Sequence, residues 1–134
     1  MSDFNKEIIQ EFRANEGTVG GIFEGMSLLL VHTTGAKSGQ LRINPTVYIK
    51  DEDNLIIAAS KAGADTHPDW YYNLVANPQV IVEVGIETFS ALADVPSEPE
   101  RSSLYEKLAS KYPMFKEYET KTSRVIPIVK LVKN

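Results

Sequence analysis

The sequence predicts an α+β domain built on a small, mostly antiparallel sheet or barrel of about six strands with flanking helices. Three observations carry this. Short β-type runs separated by turn signals fill the middle of the chain, and helical patterns stand at the start, in the middle and near the end. The βαβ rhythm of a dinucleotide-binding fold is missing, and no GxGxxG occurs. With 134 residues and 43% apolar composition the chain can bury one core but not two ordinary ones, so a single domain over 1–134 is expected.

The elements follow in order. Phe4, Ile8, Ile9 and Phe12 recur at helical spacing and Gly17 supplies a stop, which predicts an amphipathic helix around 3–15 within an N-terminal segment 1–17. Strands are expected at 28–34, 43–50 and 55–60, the last two joined as a hairpin by the polar turn Asp51-Glu52-Asp53-Asn54. Thr66-His67-Pro68-Asp69 looks like a capped helix start and Asn77-Pro78 a stop, which puts Trp70 and Leu74 one turn apart on one face. Val80, Val82 and Val84 alternate as a half-buried strand, and 87–95 follows after Gly85. Ser97-Glu98-Pro99-Glu100 reads as a capping box, with Leu104, Leu108 and Tyr112 on one face of the helix it opens, until Pro113 breaks or bends it. The end, 125–132, is β-rich, and Pro127 suits an edge or a bulge there.

Composition narrows the function. Fourteen basic against eighteen acidic side chains give a net charge of −4, so the chain has no general attraction to nucleic acid or anionic lipid, and any anion site must be local. Without cysteine there is no disulfide, thiolate nucleophile or sulfur-bound metal, which fits a cytoplasmic protein. The first eleven residues lack the apolar block of a signal peptide, and no apolar run approaches the ~20 residues of a membrane span. His32 and His67 stand without the companions a metal site needs, and no nucleophile elbow suggests hydrolysis. The acidic residues Glu98, Glu100, Glu106, Glu117 and Glu119 read as a solvated helix face.

The chemistry concentrates in 33–77. Between two strands, Thr33-Thr34-Gly35-Ala36-Lys37-Ser38-Gly39-Gln40-Leu41-Arg42 combines two glycines, three hydroxyls and two cations. Such a loop can turn its amides toward a phosphate while Lys37 and Arg42 neutralise it; the competing reading is an ordinary polar hairpin turn. It is not a P-loop, whose spacing is absent. A second cluster, Ala58-Ala59-Ser60-Lys61-Ala62-Gly63-Ala64-Asp65, leaves a strand through small residues toward the helix that begins near His67, where a flat ligand could approach the backbone. The alternative is that Ala58 and Ala59 simply pack under Trp70.

Several ordered blocks also resemble the deazaflavin-dependent nitroreductase family. They are Gly35-Ala36-Lys37-Ser38-Gly39 with Arg42-Ile43-Asn44-Pro45, then Ala59-Ser60-Lys61-Ala62-Gly63-Ala64, His67-Pro68-Asp69-Trp70-Tyr71-Tyr72-Asn73-Leu74 and Ala76-Asn77-Pro78. Tyr112-Pro113-Met114-Phe115 and Arg124-Val125-Ile126-Pro127-Ile128 are similar to that family's closing segment, so the resemblance covers more than three quarters of the chain. It implies an FMN-binding-like split β-barrel that binds coenzyme F-420, an 8-hydroxy-5-deazaflavin. The reduced coenzyme would donate a hydride to a quinone, a nitroaromatic or an activated enone.

Carried over by position, the resemblance assigns the phosphate and glutamyl tail to Lys37 and Arg42, helped by Ser38, Gly39 and Gln40. Pro45, Ala58, Ala59, Ser60 and Lys61 would lie along the ring, with Ala64, Trp70 and Asn73 closing the site. Ser60, Tyr112 and Tyr118 are the candidates for a proton or hydrogen bond to the acceptor, and Tyr112, Phe115 and Tyr118 for its pocket. Tyr112 has a competing reading as core, since it shares a face with Leu104 and Leu108. Phe115 stands where relatives active on bicyclic nitroimidazoles tend to have tyrosine, and Lys121 where an aromatic is often found, which puts substrate range in question. An FMN- or haem-binding barrel reductase is the runner-up, and a non-catalytic deazaflavin carrier the third reading. The first helix is expected to pack on its own domain, with membrane contact at most peripheral, and oligomeric state is left open.

Overall fold

The helical pattern at the start becomes α1 (Asp3–Ala14) in a computed structural model that describes residues 3–134. Ile8, Ile9 and Phe12 are buried, so the apolar stripe packs on the chain's own core; the side chain of Phe4 lies outside the described residues. There follow β1 (Leu28–Thr34), β2 (Leu41–Val47), β3 (Ile49–Asp51), β4 (Asn54–Ala58), α2 (Asp69–Ala76), β5 (Gln79–Val84) and β6 (Glu87–Asp94). The chain closes with α3 (Glu100–Lys111), α4 (Met114–Lys121) and β7 (Ile128–Lys133).

All pairings are antiparallel, and the strand order is β2-β1-β5-β6-β7-β4-β3. β2 and β3 thus lie at opposite ends of the sheet although Tyr48 alone separates them in sequence. The sheet must therefore curl until its ends meet, and β2 does touch β4 across the seam. The result is a split barrel. Strand alternation then makes two cores. Leu29, Val31, Ile57, Val82 and Val129 fill the barrel, which Trp70 and Leu74 of α2 plug. Leu28, Leu30, Ile56 and Ile128 point outward, where α1, α3 and α4 cover them. The run Leu28–Val31 is continuous because both of its faces are buried.

Four expectations need correction. The segment 43–50 is two strands, since β2 begins at Leu41 and the chain turns the barrel corner at Tyr48, whose amide donates to Ser27 O at 3.0 Å; hence seven strands and not about six. Ser97 does not cap α3: the Glu98 carboxylate accepts the Ser102 amide at 2.9 Å, and the N-cap position is Pro99. Pro68, not a side-chain oxygen, holds the N-cap position of α2. Pro127 precedes β7, an interior strand, and its carbonyl accepts the Ala59 amide at 2.9 Å. Pro45 is tolerated inside β2 because β2 ends the hydrogen-bonded order. Pro113 separates α3 from α4, as its ring dictates.

Candidate functional site

The β1–β2 connection is a self-bonded loop. Gly35 N–H donates to Gln40 O at 2.8 Å, Gly39 N–H to Gly35 O at 3.0 Å, and Gln40 N–H to Ser38 Oγ at 3.2 Å. A Cβ at Gly35 would stand 2.5 Å from Ser38 Oγ and 3.3 Å from Gln40 O, so a side chain there would force the serine to turn away from the loop. From α2, the buried Asn73 side chain accepts the Ala36 amide at 3.0 Å and donates to Thr33 Oγ1 at 3.2 Å, fixing the loop against the helix. Among the described residues no partner takes the Lys37 and Ser38 amides. Lys37 and Arg42, both exposed, likewise form no ion pair among the described residues. These donors border a cavity of about 840 Å³, lined by Gly35, Ala36, Lys37, Ser38 and Arg42 on the loop side and by Asp69, Trp70, Tyr72 and Asn73 on the helix side. Asn5 of α1 lines it as well. Cations and amides without internal partners suit a phosphate or carboxylate.

Trp70 also lines a second cavity, of about 220 Å³, so the two share a wall. Its other walls are Pro45, Thr46 and Val47 of β2, Ala58 of β4, the turn Ser60-Lys61-Ala62, Phe23, and Met114, Phe115 and Tyr118 of α4. The turn is unusual. Ser60 is right-handed, but Lys61 (φ 47°), Ala62 (φ 54°) and Gly63 (φ 84°) are left-handed in succession, a conformation that costs side-chain-bearing residues about 1–2 kcal/mol each. A right-handed residue followed by a left-handed one converges successive amides into an anion-accepting nest. Among the described residues the Ser60, Lys61 and Ala62 amides have no partner, and neither has the Ser60 hydroxyl.

Arg124 holds this turn. Its guanidinium donates to Ala59 O (3.2 Å), Ser60 O (2.9 Å) and Ala64 O (2.8 Å), and to His67 Nδ1 at 2.9 Å. An arginine cannot accept, so Nδ1 is the acceptor and the His67 proton sits on Nε2. Burial, and then the adjacent guanidinium, hold the His67 imidazole below its ordinary pKa. On α4, Tyr118 packs edge-on to Phe115 with ring centroids 5.4 Å apart, and burial raises its hydroxyl pKa. Tyr105, also raised by burial, donates to Phe115 O at 2.6 Å and fixes that stretch of backbone.

Of the residues singled out in the sequence, Lys37, Ser38, Arg42, Trp70 and Asn73 meet at the larger cavity, and Pro45, Ala58, Ser60, Lys61, Trp70, Phe115 and Tyr118 at the smaller. Five do not line either cavity. Gly39 and Gln40 complete the loop, the Ala59 side chain faces the barrel core, and Ala64 offers its carbonyl to Arg124. Tyr112 is buried, its hydroxyl accepting the Ser27 amide at 3.0 Å, while its ring supports Phe115 at 6.4 Å. Sequence reasoning gave no role to Arg124, Tyr72, Phe23 or Met114. Arg124 stood within a recognisable block, but nothing local to it shows that it reaches back 60 residues or more.

The curled antiparallel sheet with its flanking helices defines a split-barrel protein with two cavities that meet at Trp70. The family model described as F420H(2)-dependent quinone reductase matches residues 5–133, and the chain belongs to that family of oxidoreductases, whose cofactor is coenzyme F-420. It is 38% identical over 129 residues to an F420H(2)-dependent quinone reductase of Mycobacterium tuberculosis, covering 91% of this chain and 85% of the relative. A solved F420-H2 dependent reductase (FDR-A) is 36% identical with a TM-score of 0.72, over 78% of this chain and 92% of that one. The haem storage protein HutZ of Vibrio cholerae, 14% identical with a TM-score of 0.59 over 94% of this chain and 87% of its own, shares the fold.

Proposed function

We propose that the larger cavity takes the phosphorylated, acidic tail of coenzyme F-420 and the smaller one its ring, and that the reduced coenzyme is used to reduce quinones. The observation that carries this is the pairing across Trp70 of a cavity bearing two cations with a slot walled by small residues, proline and backbone amides, the cations and amides alike without partners among the described residues. Lys37, Arg42 and the Lys37 and Ser38 amides bind the tail. Pro45, Ala58 and the Ser60–Ala62 backbone accept the ring, whose flatness matches a wall with few projecting side chains.

When bound, the reduced deazaflavin supplies a hydride. The protein's part is to hold the acceptor against the ring, exclude water and manage one proton. Phe23, Met114, Phe115 and Tyr118 provide an apolar cover. A quinone that gains the hydride becomes a hydroquinone anion, and a proton completes it. The Ser60 and Tyr118 hydroxyls border the slot and can donate a hydrogen bond to that oxygen. Nitroaromatics and activated enones extend the proposal to acceptors of similar flatness. A cytoplasmic site of action belongs to it too, and recovery of the chain in the membrane or extracellular fraction would remove that part.

Fluorescence titration with oxidised coenzyme F-420, followed by stopped-flow mixing of the reduced complex with menadione, tests the reading. Saturable binding and rapid reoxidation are expected. Lys37→Ala and Arg42→Ala should each weaken binding by ~1–3 kcal/mol, the worth of a charged hydrogen bond. Saturable binding of FMN with none of the deazaflavin would overturn the proposal.

A further inference from the structure

Arg124 lies outside both cavities, yet three of its hydrogen bonds end on the segment 59–64, of which Ser60, Lys61 and Ala62 form one wall of the smaller one. That segment does not hold its shape by local preference. Lys61 and Ala62 are left-handed without being glycine, and Gly63 is confined from the other side, where an added Cβ would stand 3.0 Å from Lys121 Cβ and 3.1 Å from Tyr118 O. Among the described residues, the hydrogen bonds within the turn are Gly63 N–H to Ser60 O at 2.9 Å and Ala64 N–H to Lys61 O at 3.1 Å. The carbonyls of Ala59, Ser60 and Ala64 are drawn together onto one planar cation, and the Ser60, Lys61 and Ala62 amides have no partner among the described residues. The guanidinium is itself oriented by His67 Nδ1, and His67 packs on Tyr71 with ring centroids 4.8 Å apart, which ties the clamp to α2.

We infer that Arg124 is a positioning residue for the reductase: by gathering three carbonyls it keeps the Ser60–Gly63 turn left-handed and its free amides arranged to take negative charge on the carbonyl edge of the ring. The inference rests on the ring occupying the smaller cavity. The chemical reason for such a device is that hydride loss changes the charge on the ring system, and fixed dipoles that favour one charge state set the tendency to give up hydride. Lysine cannot replace this fork, since it is a point charge without planar, multi-acceptor geometry.

Two measurements on Arg124→Gln and Arg124→Lys test it. In the unliganded protein, NMR amide and Cα shifts of Lys61 and Ala62 report the left-handed turn. Arg124→Gln should lose them, Arg124→Lys should keep them in part, and adding Ala62→Gly to Arg124→Gln should restore those of Lys61, because glycine adopts this conformation without help. In the complex, the absorption maximum and midpoint potential of bound coenzyme F-420 should move in Arg124→Gln toward those of the free coenzyme. Affinity should stay within about tenfold of the wild type, since the tail contacts persist, and kcat for menadione should change more than KM does. A folded Arg124→Gln that keeps the turn shifts, the bound spectrum and the potential, with only a lower Tm, would overturn the inference and leave Arg124 structural. If Arg124→Gln does not fold, Arg124→Lys and the glycine double variant carry the same readouts. Wild-type protein that fails to bind the coenzyme would sink the cofactor reading instead, while the NMR comparison still decides what Arg124 does to the turn.

Discussion

Ser60 and Tyr112 were both candidates for the acceptor's hydrogen bond, and the structure gives their hydroxyls different surroundings. Ser60 Oγ borders the smaller cavity with no protein partner among the described residues, whereas Tyr112 Oη accepts the Ser27 amide at 3.0 Å beneath the wall formed by Phe115. Ser60→Ala should therefore lower kcat for menadione about three- to tenfold, the worth of one neutral hydrogen bond, with Tm nearly unchanged. Tyr112→Phe should do the reverse: it leaves the Ser27 amide unpaired and costs ~1–2 kcal/mol of stability, read by chemical denaturation, with turnover close to wild type. A Tyr112→Phe variant that is stable but slow would return that hydroxyl to the chemistry. The contrast also shows what was legible at this scale. Lys37 and Arg42 could be found because a loop with glycines, hydroxyls and cations is a local signature. Tyr112 and Arg124 could not be placed, because their partners lie 85 and 57–65 residues away, and only the closed barrel brings them near.

Among the elements, α1 illustrates the same division. The spacing of Ile8, Ile9 and Phe12 was sufficient to predict an amphipathic helix, but not the latch that holds its end. Arg13 donates twice to the Glu83 carboxylate, from Nε at 3.1 Å and from Nη2 at 2.7 Å, and His32 Nε2 donates to the same group at 2.6 Å. One turn on, Gly17 approaches Gly85 so closely that a Cβ would stand 2.7 Å from its Cα. The Arg13 hydrogen bond first, and His32 next, outweigh burial and hold the Glu83 carboxyl below its ordinary value of 4.5. The sign follows from proton counting: between the ordinary and the lowered value the unfolded chain binds more protons than the folded one. The latch thus contributes fully above the ordinary carboxylate range, and its contribution is lost as pH falls through the lowered folded value. Thermal midpoints taken from about pH 6 down to about pH 3 should fall, and Glu83→Gln should flatten that part of the profile. At neutral pH Glu83→Gln should cost ~1–2 kcal/mol, at the low end for charged hydrogen bonds because the Arg13 side chain is 49% exposed. An unchanged pH profile in Glu83→Gln would show that other carboxylates carry the acid sensitivity.

At the scale of the whole molecule, the half-barrel explains why a chain with net charge −4 can take an anionic cofactor. Closing the sheet brings the β1–β2 loop against α2, so that Lys37, Arg42 and two amides without partners among the described residues border one cavity, while the acidic side chains of α3 and α4 are exposed and do not line it. The sequence suggested the loop, but the count of strands was short by one, because the corner at Tyr48 breaks an apolar run that reads as continuous. The corner is a requirement of closure, not of local propensity, and for that reason no nearby residue announces it. The electrostatic consequence is testable without altering the fold. Exposed charges are screened over ~10 Å at 0.1 M salt and ~3 Å at 1 M, so binding through Lys37 and Arg42 should weaken as salt rises, against a net charge that would by itself make salt favourable. Titrations of coenzyme F-420 across that range should give a falling affinity in the wild type. In the Lys37→Ala/Arg42→Ala double variant the slope should vanish or reverse, because the unfavourable net charge is then all that salt can screen. A salt slope identical in both proteins would mean that the tail is held by other charges, and it would move the anion site away from the β1–β2 loop.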